Sequence, residues 1–421
     1  MISFKKDGVH WGIFVNNTSD KATFLRALEQ GNFPESLSYL EGKRGALFTK
    51  ATLEHYLTKE NRHDIKILTS PKGQSLMSMS SGEQKRALLH HILKSRPGFI
   101  LLDNPFDNLD KEAKLDLQNR LGTISKETPI LQLISRQRDM LPFINRYATL
   151  KAGHFLPLAH VPESLAISPM ENMERLEVPP PLYPKPHIPA ILVHFNNVSV
   201  RYGHKRILNS IQWCIGKGEF WQLIGKNGSG KTTLLSMLTG ENPKGYGQEL
   251  FLFGQKKGTG ESIWELKEKM GYFTPSMTDK FTGYHSLENM IVSGLTDSIG
   301  LYTKPTGAQL RLAEAWLHLI GLEHLRHTHF HDLGTGQKRL LMTARAMVKH
   351  PSLLLLDEPT AGMDDRSAAL LVHLVNKMAR ESDTTLIFVS HRNEPGLQPD
   401  KVYELQMTPE GSRGMEIEKP S

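Results

Sequence analysis

One cysteine, Cys214, stands in 421 residues, so an intrachain disulfide and any multi-cysteine zinc site are excluded. Its apolar neighbours predict a buried structural thiol rather than a nucleophile. No run of eighteen or more apolar residues occurs, which argues against a membrane-spanning helix. The opening MISFKKDGVHWGIF lacks the apolar stretch and small-residue cleavage site of a secretory leader, so the expected location is cytoplasmic. Neither sign of charge dominates: 51 Lys and Arg against 44 Asp and Glu give a net +7, which suits an anionic ligand without demanding nucleic acid. Aromatics interleaved with basic residues for base stacking are also missing. Stretches such as KGTGESIWELKEK mix both signs and read as solvated helix faces. What remains is ordinary soluble composition, 39% hydrophobic and 23% charged, over two to three times the length of one domain.

The most productive feature is an internal repeat. PGFILLDNPFDNLD, ending at Asp110, returns as PSLLLLDEPTAGMD, ending at Asp364, a spacing of 254 residues. SSGEQKRALLHHILKSRP from Ser80 returns as GTGQKRLLMTARAMVKHP from Gly334 with the same spacing, and LQLISR ending at Arg136 answers LIFVSH ending at His391. VNNTSDKAT answers GKNGSGKTT, but there the spacing from Lys21 to Lys231 is 210, so the N-terminal copy is 44 residues shorter between Lys21 and Ser80. Proline-rich sequence, including EVPPPLYPKPHIP, separates the copies and reads as a semi-rigid spacer. The expected organisation is a first domain over 1–155, a linker over 156–190 and a second domain over 191–421. Short apolar strands (GEFWQLIG, SLLLLD, TTLIFVSH) alternate with helical stretches (KTTLLSMLTG, QKRLLMTARAMVKH), so each half is expected to be a parallel α/β core.

The C-terminal copy carries the chemistry. Gly225, Lys226, Asn227, Gly228, Ser229, Gly230, Lys231 and Thr232 fit the phosphate-binding loop pattern in full, between a predicted strand and a predicted helix. Backbone amides and the helix start supply aligned donors, Lys231 reaches the β- and γ-phosphates, and Thr232 offers its hydroxyl to Mg²⁺. Thr233 follows on the same turn. The apolar run 353–356 ends in Asp357 and Glu358, an Mg²⁺-directed carboxylate and a candidate base for an attacking water. Alone, a strand ending in Asp-Glu reads as structural; at this spacing from the loop it reads as catalytic.

These motifs resemble the nucleotide-binding domains of ABC ATPases, and the resemblance covers both halves. It implies two P-loop NTPase domains of α/β fold in tandem, with ATP and Mg²⁺ as cofactors. LGTGQ at 333–337 sits where the family has its signature, with Gly334 in place of serine. Met363 and Asp364 match the aspartate loop, His391 the switch histidine, and Tyr202 the adenine-stacking aromatic, although such a tyrosine by itself more often packs than stacks. The glutamine that links Mg²⁺ to transporter contacts is absent, for MGYFTPSM offers Pro275 and Ser276 there. In the N-terminal copy Asp20 replaces the last loop glycine, Ala22 the Mg²⁺-binding hydroxyl residue, Asn104 the glutamate and Arg136 the histidine. Hydrolysis in that half is not expected. Yet Ser80, Ser81, Gly82 and Glu83, followed by Gln84, keep the serine-bearing signature, which in the family donates to the γ-phosphate bound on the opposite domain. The resemblance therefore implies head-to-tail pairing with one complete composite site. The alternative is that Ser80, Ser81 and Gly82 form only a helix cap, and capping and phosphate contact are compatible.

Two further readings complete the expectations. His324, His327, His329 and His331 alternate ahead of the signature and read as a polar loop rather than a metal site. ENMIVSGLTDSIGLY with QLRLAEAWLHLIGL looks like the tandem-cassette proteins of molybdate-transport operons, also called photorepair-type ABC proteins. That likeness implies an energising subunit for a permease on another chain, peripheral at the inner membrane face. Two alternatives remain, a soluble ABC machine on ribosomes or DNA and a regulatory nucleotide-binding protein.

Overall fold

The computed structural model describes residues 8–17, 19–69, 74–162, 168–184, 188–260, 262–281, 283–301, 303–391 and 394–417. The chain divides into two compact units, residues 1–165 with 362–365, and residues 166–361 with 366–421. Segments 163–167 and 185–187 of the expected linker lie outside the described residues.

The first unit contains β1 (Trp11–Phe14), β2 (Gly45–Phe48), β3 (Phe99–Asp103), β4 (Ile130–Ile134), β5 (Arg146–Lys151) and β6 (His154–Leu158). They form one sheet in the order β2-β3-β4-β1-β5-β6, parallel except for the β5–β6 hairpin at the edge. The central strands read as nearly continuous apolar runs, as strands covered on both faces do; Ile100, Leu101, Leu102, Ile130, Leu131 and Leu133 are fully buried, with Gln132 the buried polar exception.

The second unit contains β7 (Ile191–Tyr202), β8 (Lys205–Gly216), β9 (Phe220–Gly225), β10 (Leu250–Leu252), β11 (Gln255–Lys256), β12 (Met270–Phe273), β13 (Leu353–Asp357), β14 (Thr385–Ser390), β15 (Lys401–Gln406) and β16 (Arg413–Ile417). Its main sheet runs β12-β13-β14-β9-β15-β16, strand for strand the order of the first unit. The repeat in sequence is therefore a repeat of topology. The expected parallel core is present in both units, with two additions that period and composition did not announce. Each sheet ends in an antiparallel edge strand, and the second unit carries a separate antiparallel sheet, β11-β10-β7-β8. That extra sheet packs through Phe195, Val198, Ile211 and Trp213 onto Leu223, Leu234 and Leu405 of the main core.

The 44-residue deficit has a structural counterpart. After its helix Lys231–Leu238 and before Gly334 the second unit builds β10, β11 and β12 with α-helices Ile263–Lys269, Leu287–Ser293 and Gly307–Leu319, whereas after helix Lys21–Glu29 and before Ser80 the described residues of the first unit hold β2 and one α-helix, Lys50–His63, besides the short 3-10 segments Glu35–Leu40 and Leu76–Ser78.

Two expectations are corrected here. Cys214 is exposed, because it alternates along β8 with Trp213 and Ile215, which take the inward face; its apolar neighbours in sequence are on the opposite side of the strand. The described part of the linker is also no free spacer. Ser168–Arg175 is helical, Met173 and Val178 are buried, and Glu174 pairs with Arg380 at 2.8 Å and His373 at 2.9 Å. Val178 N donates to Glu381 Oε2 at 3.0 Å, and His350 Nε2 lies 2.6 Å from the Pro179 carbonyl. Proline removes donors from a segment but leaves its side chains and carbonyls available to dock.

Candidate nucleotide-binding site

The site is assembled at the C-terminal ends of β9, β13 and β14, where an open α/β sheet places its loops. β9 ends at Gly225, and the loop turns into helix Lys231–Leu238 through Gly228 and Gly230, whose φ angles are +79° and +95°. A side chain at Gly225 would have its Cβ 2.6 Å from Ser229 Oγ and 2.9 Å from the Leu405 carbonyl, so the tight turn requires glycine there. Gly230 gives the helix start no side-chain cap, and a helix start is where an anion meets backbone amides. Ser229 is fully buried, with an Oγ that has no hydrogen-bond partner. A buried orphan hydroxyl within a ring of loop amides fits a phosphate oxygen. Lys231, 8% exposed, folds back to the Gly225 and Lys226 carbonyls at 2.7 and 3.1 Å. Asn227 and Thr233 are half-buried and Thr232 is exposed on the first turn.

Four fully buried leucines, 353–356, carry β13 to Asp357 and Glu358. Burial and repulsion from Glu358 push the Asp357 carboxyl up to about 6, against the opposing pull of the Lys231 charge. Glu358 leaves the strand at φ +47°, its amide donating to the Val389 carbonyl at 2.9 Å. Left-handed backbone at a non-glycine residue costs energy, and here it swings the carboxylate out of the strand. His391 follows β14 and sets Nδ1 3.0 Å from Glu358 Oε1, with its side chain 5% exposed. Tyr202 ends β7, the residue 46% exposed and its hydroxyl accepting from Asn242 Nδ2 at 3.0 Å. It is thus held by its hydroxyl while the residue stays exposed.

Some supporting residues escaped the sequence reading. Gln222 donates through Nε2 to Ser390 Oγ at 3.1 Å, fixing the residue before His391, and Thr360 donates to the buried carboxylate of Glu394 at 2.8 Å, tying the segment after Glu358 to the segment after His391. A glutamine inside the apolar run FWQLIG was a readable signal for the first; nothing in the sequence marked the second.

In the first unit the corresponding positions sit differently. Asp20 caps helix Lys21–Glu29, Lys21 Nζ pairs with Asp103 at 2.9 Å, and Asn104 takes φ +44° while accepting from the Ser135 amide at 3.3 Å. Arg136 is buried. Ser80, Ser81, Gly82 and Glu83 open helix Ser81–Lys94 in a capping box: Glu83 N donates to Ser80 Oγ at 3.3 Å and Ser80 N to Glu83 Oε2 at 2.8 Å. Ser81 Oγ donates to the Asn108 carbonyl at 2.9 Å. The Ser80 bonds hold the Glu83 carboxyl below its ordinary range. At the matching helix, Thr335–Met347, Gly334 provides no side-chain cap. Of the alternating histidines, His327 lies 3.5 Å from Glu288 and His331 3.1 Å from Asp332.

A glycine-turned loop on a helix start, followed in the sheet by a buried Asp-Glu strand end and a histidine, defines a P-loop nucleotide-binding protein. The family model described as ABC transporter matches residues 208–361. The ABC transporter ATP-binding protein ModF of Escherichia coli is 35% identical over 346 residues, 79% of this chain and 70% of that one. An uncharacterized ABC transporter ATP-binding protein of Schizosaccharomyces pombe is 27% identical over 91% of this chain and 90% of its own. The zinc uptake system ATP-binding protein ZurA of Listeria innocua is 31% identical over 48% of this chain and 76% of its own. The chain belongs to the ABC family of ATP-binding proteins, and its activity is that of an ATPase.

Proposed function

We propose that ATP is hydrolysed at one site, built on the second unit from Lys231, Thr232, Asp357, Glu358 and His391, and that the first unit contributes no hydrolysis of its own. The observation that carries this is the 3.0 Å pair between Glu358 and His391 at the end of β13, a carboxylate and an orienting imidazole that the first unit replaces with Asn104 and Arg136. Glu358 accepts the proton of the attacking water, and His391 holds that carboxylate in place and meets the γ-phosphate. The loop amides, the Ser229 hydroxyl and Lys231 orient the phosphates, and Tyr202 stacks on the adenine. Thr232 and Asp357 would hold Mg²⁺, which supplies charge neutralisation at the β- and γ-phosphates; a desolvated carboxyl raised to about 6 is a group that gains from a cation. The test is phosphate release at saturating ATP: Glu358→Gln should lower turnover by about 10²- to 10⁴-fold, and Asn104→Ala should leave most of it. Equal losses would refute the division of labour.

The two copies are complementary in what they have lost, which supports head-to-tail pairing: the first unit keeps the serine of its signature, Ser80 with Ser81, Gly82 and Glu83, while the second keeps the phosphate loop. ATP binding closes the pair and hydrolysis reopens it. The work so driven is transport through a permease on a separate chain, with this chain peripheral to the membrane. That reading is supported by the names of the relatives, and no described helix is long and apolar enough to cross a membrane.

A further inference from the structure

The two phosphate-loop positions differ in what their polar groups are bonded to. In the second unit the fold leaves donors over: Ser229 Oγ is buried without a partner, and the helix start at Gly230 has no side-chain cap. In the first unit the matching groups are closed among themselves. Ser19 Oγ lies 3.0 Å from both Asn16 Oδ1 and the Leu150 carbonyl, and the Asn16 amide donates back to Ser19 Oγ at 3.0 Å. Asp20 Oδ1 accepts from the Thr23 amide at 3.0 Å, where Gly230 offers nothing. Lys21, the counterpart of Lys231, spends its ammonium on Asp103 Oδ1 at 2.9 Å. A phosphate at a helix start supplies negative charge against the dipole and acceptors for the first amides; the Asp20 carboxylate already supplies both. The Thr23 hydrogen bonds hold its carboxyl below the ordinary range, so it stays ionised at neutral pH and repels a second anion.

We infer that the first unit is its own anionic ligand, with Asp20 standing where a phosphate would stand and Asp103 occupying the lysine, so that the chain binds a single nucleotide. This rests on the proposal that the second unit holds the active site, and it goes further: the first unit is closed to nucleotide binding as well as to hydrolysis. The experiment uses the full chain with ATP and Mg²⁺ in equilibrium dialysis, and with 8-azido-ATP followed by peptide mapping. The expected result is a plateau of one ATP per chain, with label confined to peptides from residue 191 onward and almost lost in Lys231→Ala. A plateau of two, or label near residue 21 that Lys21→Ala removes, overturns the inference while leaving the second unit's site intact. If the single plateau survives Lys231→Ala and disappears in Lys21→Ala, both the inference and the proposed site fall together. The wild-type plateau and label map need no variant to fold, so the answer stands if Lys21→Ala does not.

Discussion

Replacing Asp357 by asparagine should make the nucleotide-free protein more stable while destroying its function. The carboxyl is raised from 3.8 to about 6, burial being the largest cause. A folded-state value above the unfolded one means that the native chain binds the proton more tightly, so stability falls as pH rises through that interval. The cost of ionising Asp357 in the fold is about 3 kcal/mol at pH 8 and shrinks to roughly half of that at pH 5, taking 1.36 kcal/mol per unit. Asparagine is nearly isosteric and carries no charge, so Asp357→Asn should recover an amount of that order at pH 8 and roughly half of it at pH 5. Urea unfolding followed by tryptophan fluorescence reads this well. Trp213, Trp221, Trp264 and Trp316 lie in the second unit and only Trp11 in the first. The same variant should lose Mg²⁺-dependent ATP turnover. An Asp357→Asn chain that is less stable than wild type at pH 8, or whose difference does not shrink as pH falls, would refute the reasoning that the site holds a desolvated charge at the expense of stability.

Gly82→Asp should impair turnover by about 10²-fold or more, as the loss of a donor to the γ-phosphate does, and Thr335→Asp far less. Both place an acid in the first turn of a helix, where it is tolerated, so circular dichroism should find both folded, and the reverse order of ATPase rates would end the head-to-tail proposal. Gly225→Ala forces a Cβ to within 2.6 Å of Ser229 Oγ; overpacking of about 1–3 kcal/mol should appear as weaker ATP binding by isothermal titration, and unchanged affinity would contradict the loop geometry. Tyr202→Ala should raise the KM for ATP by roughly 5- to 100-fold, the worth of one stacked base, with kcat and the urea midpoint nearly unchanged, since the residue is exposed. A lost kcat with an intact KM would assign it another role.

The sequence by itself determined the duplication, the phosphate loop and the order of the core strands' chemistry, because each is local. A loop that wraps phosphate needs glycine at fixed steps, and a strand covered on both faces needs an unbroken apolar run, so GKNGSGKT and SLLLLD declare themselves. It also marked which copy had decayed, since Asp20, Ala22, Asn104 and Arg136 each remove a chemical group by identity alone. What only the tertiary structure decided depends on residues far apart in the chain. Cys214 faces outward because Trp213 and Ile215 fill the core that β8 shares with β9 and β15, which no neighbourhood in sequence reveals. The raised Asp357 carboxyl follows from the walls around it rather than from the motif containing it, and the tie between Thr360 and Glu394 exists only once β13 and β14 lie side by side. The clearest case is Asp20. Its identity gave repulsion, but only the folded loop gave the carboxylate an amide to cap, and gave Lys21 the aspartate of a strand 82 residues away, so that a lost glycine became a filled site.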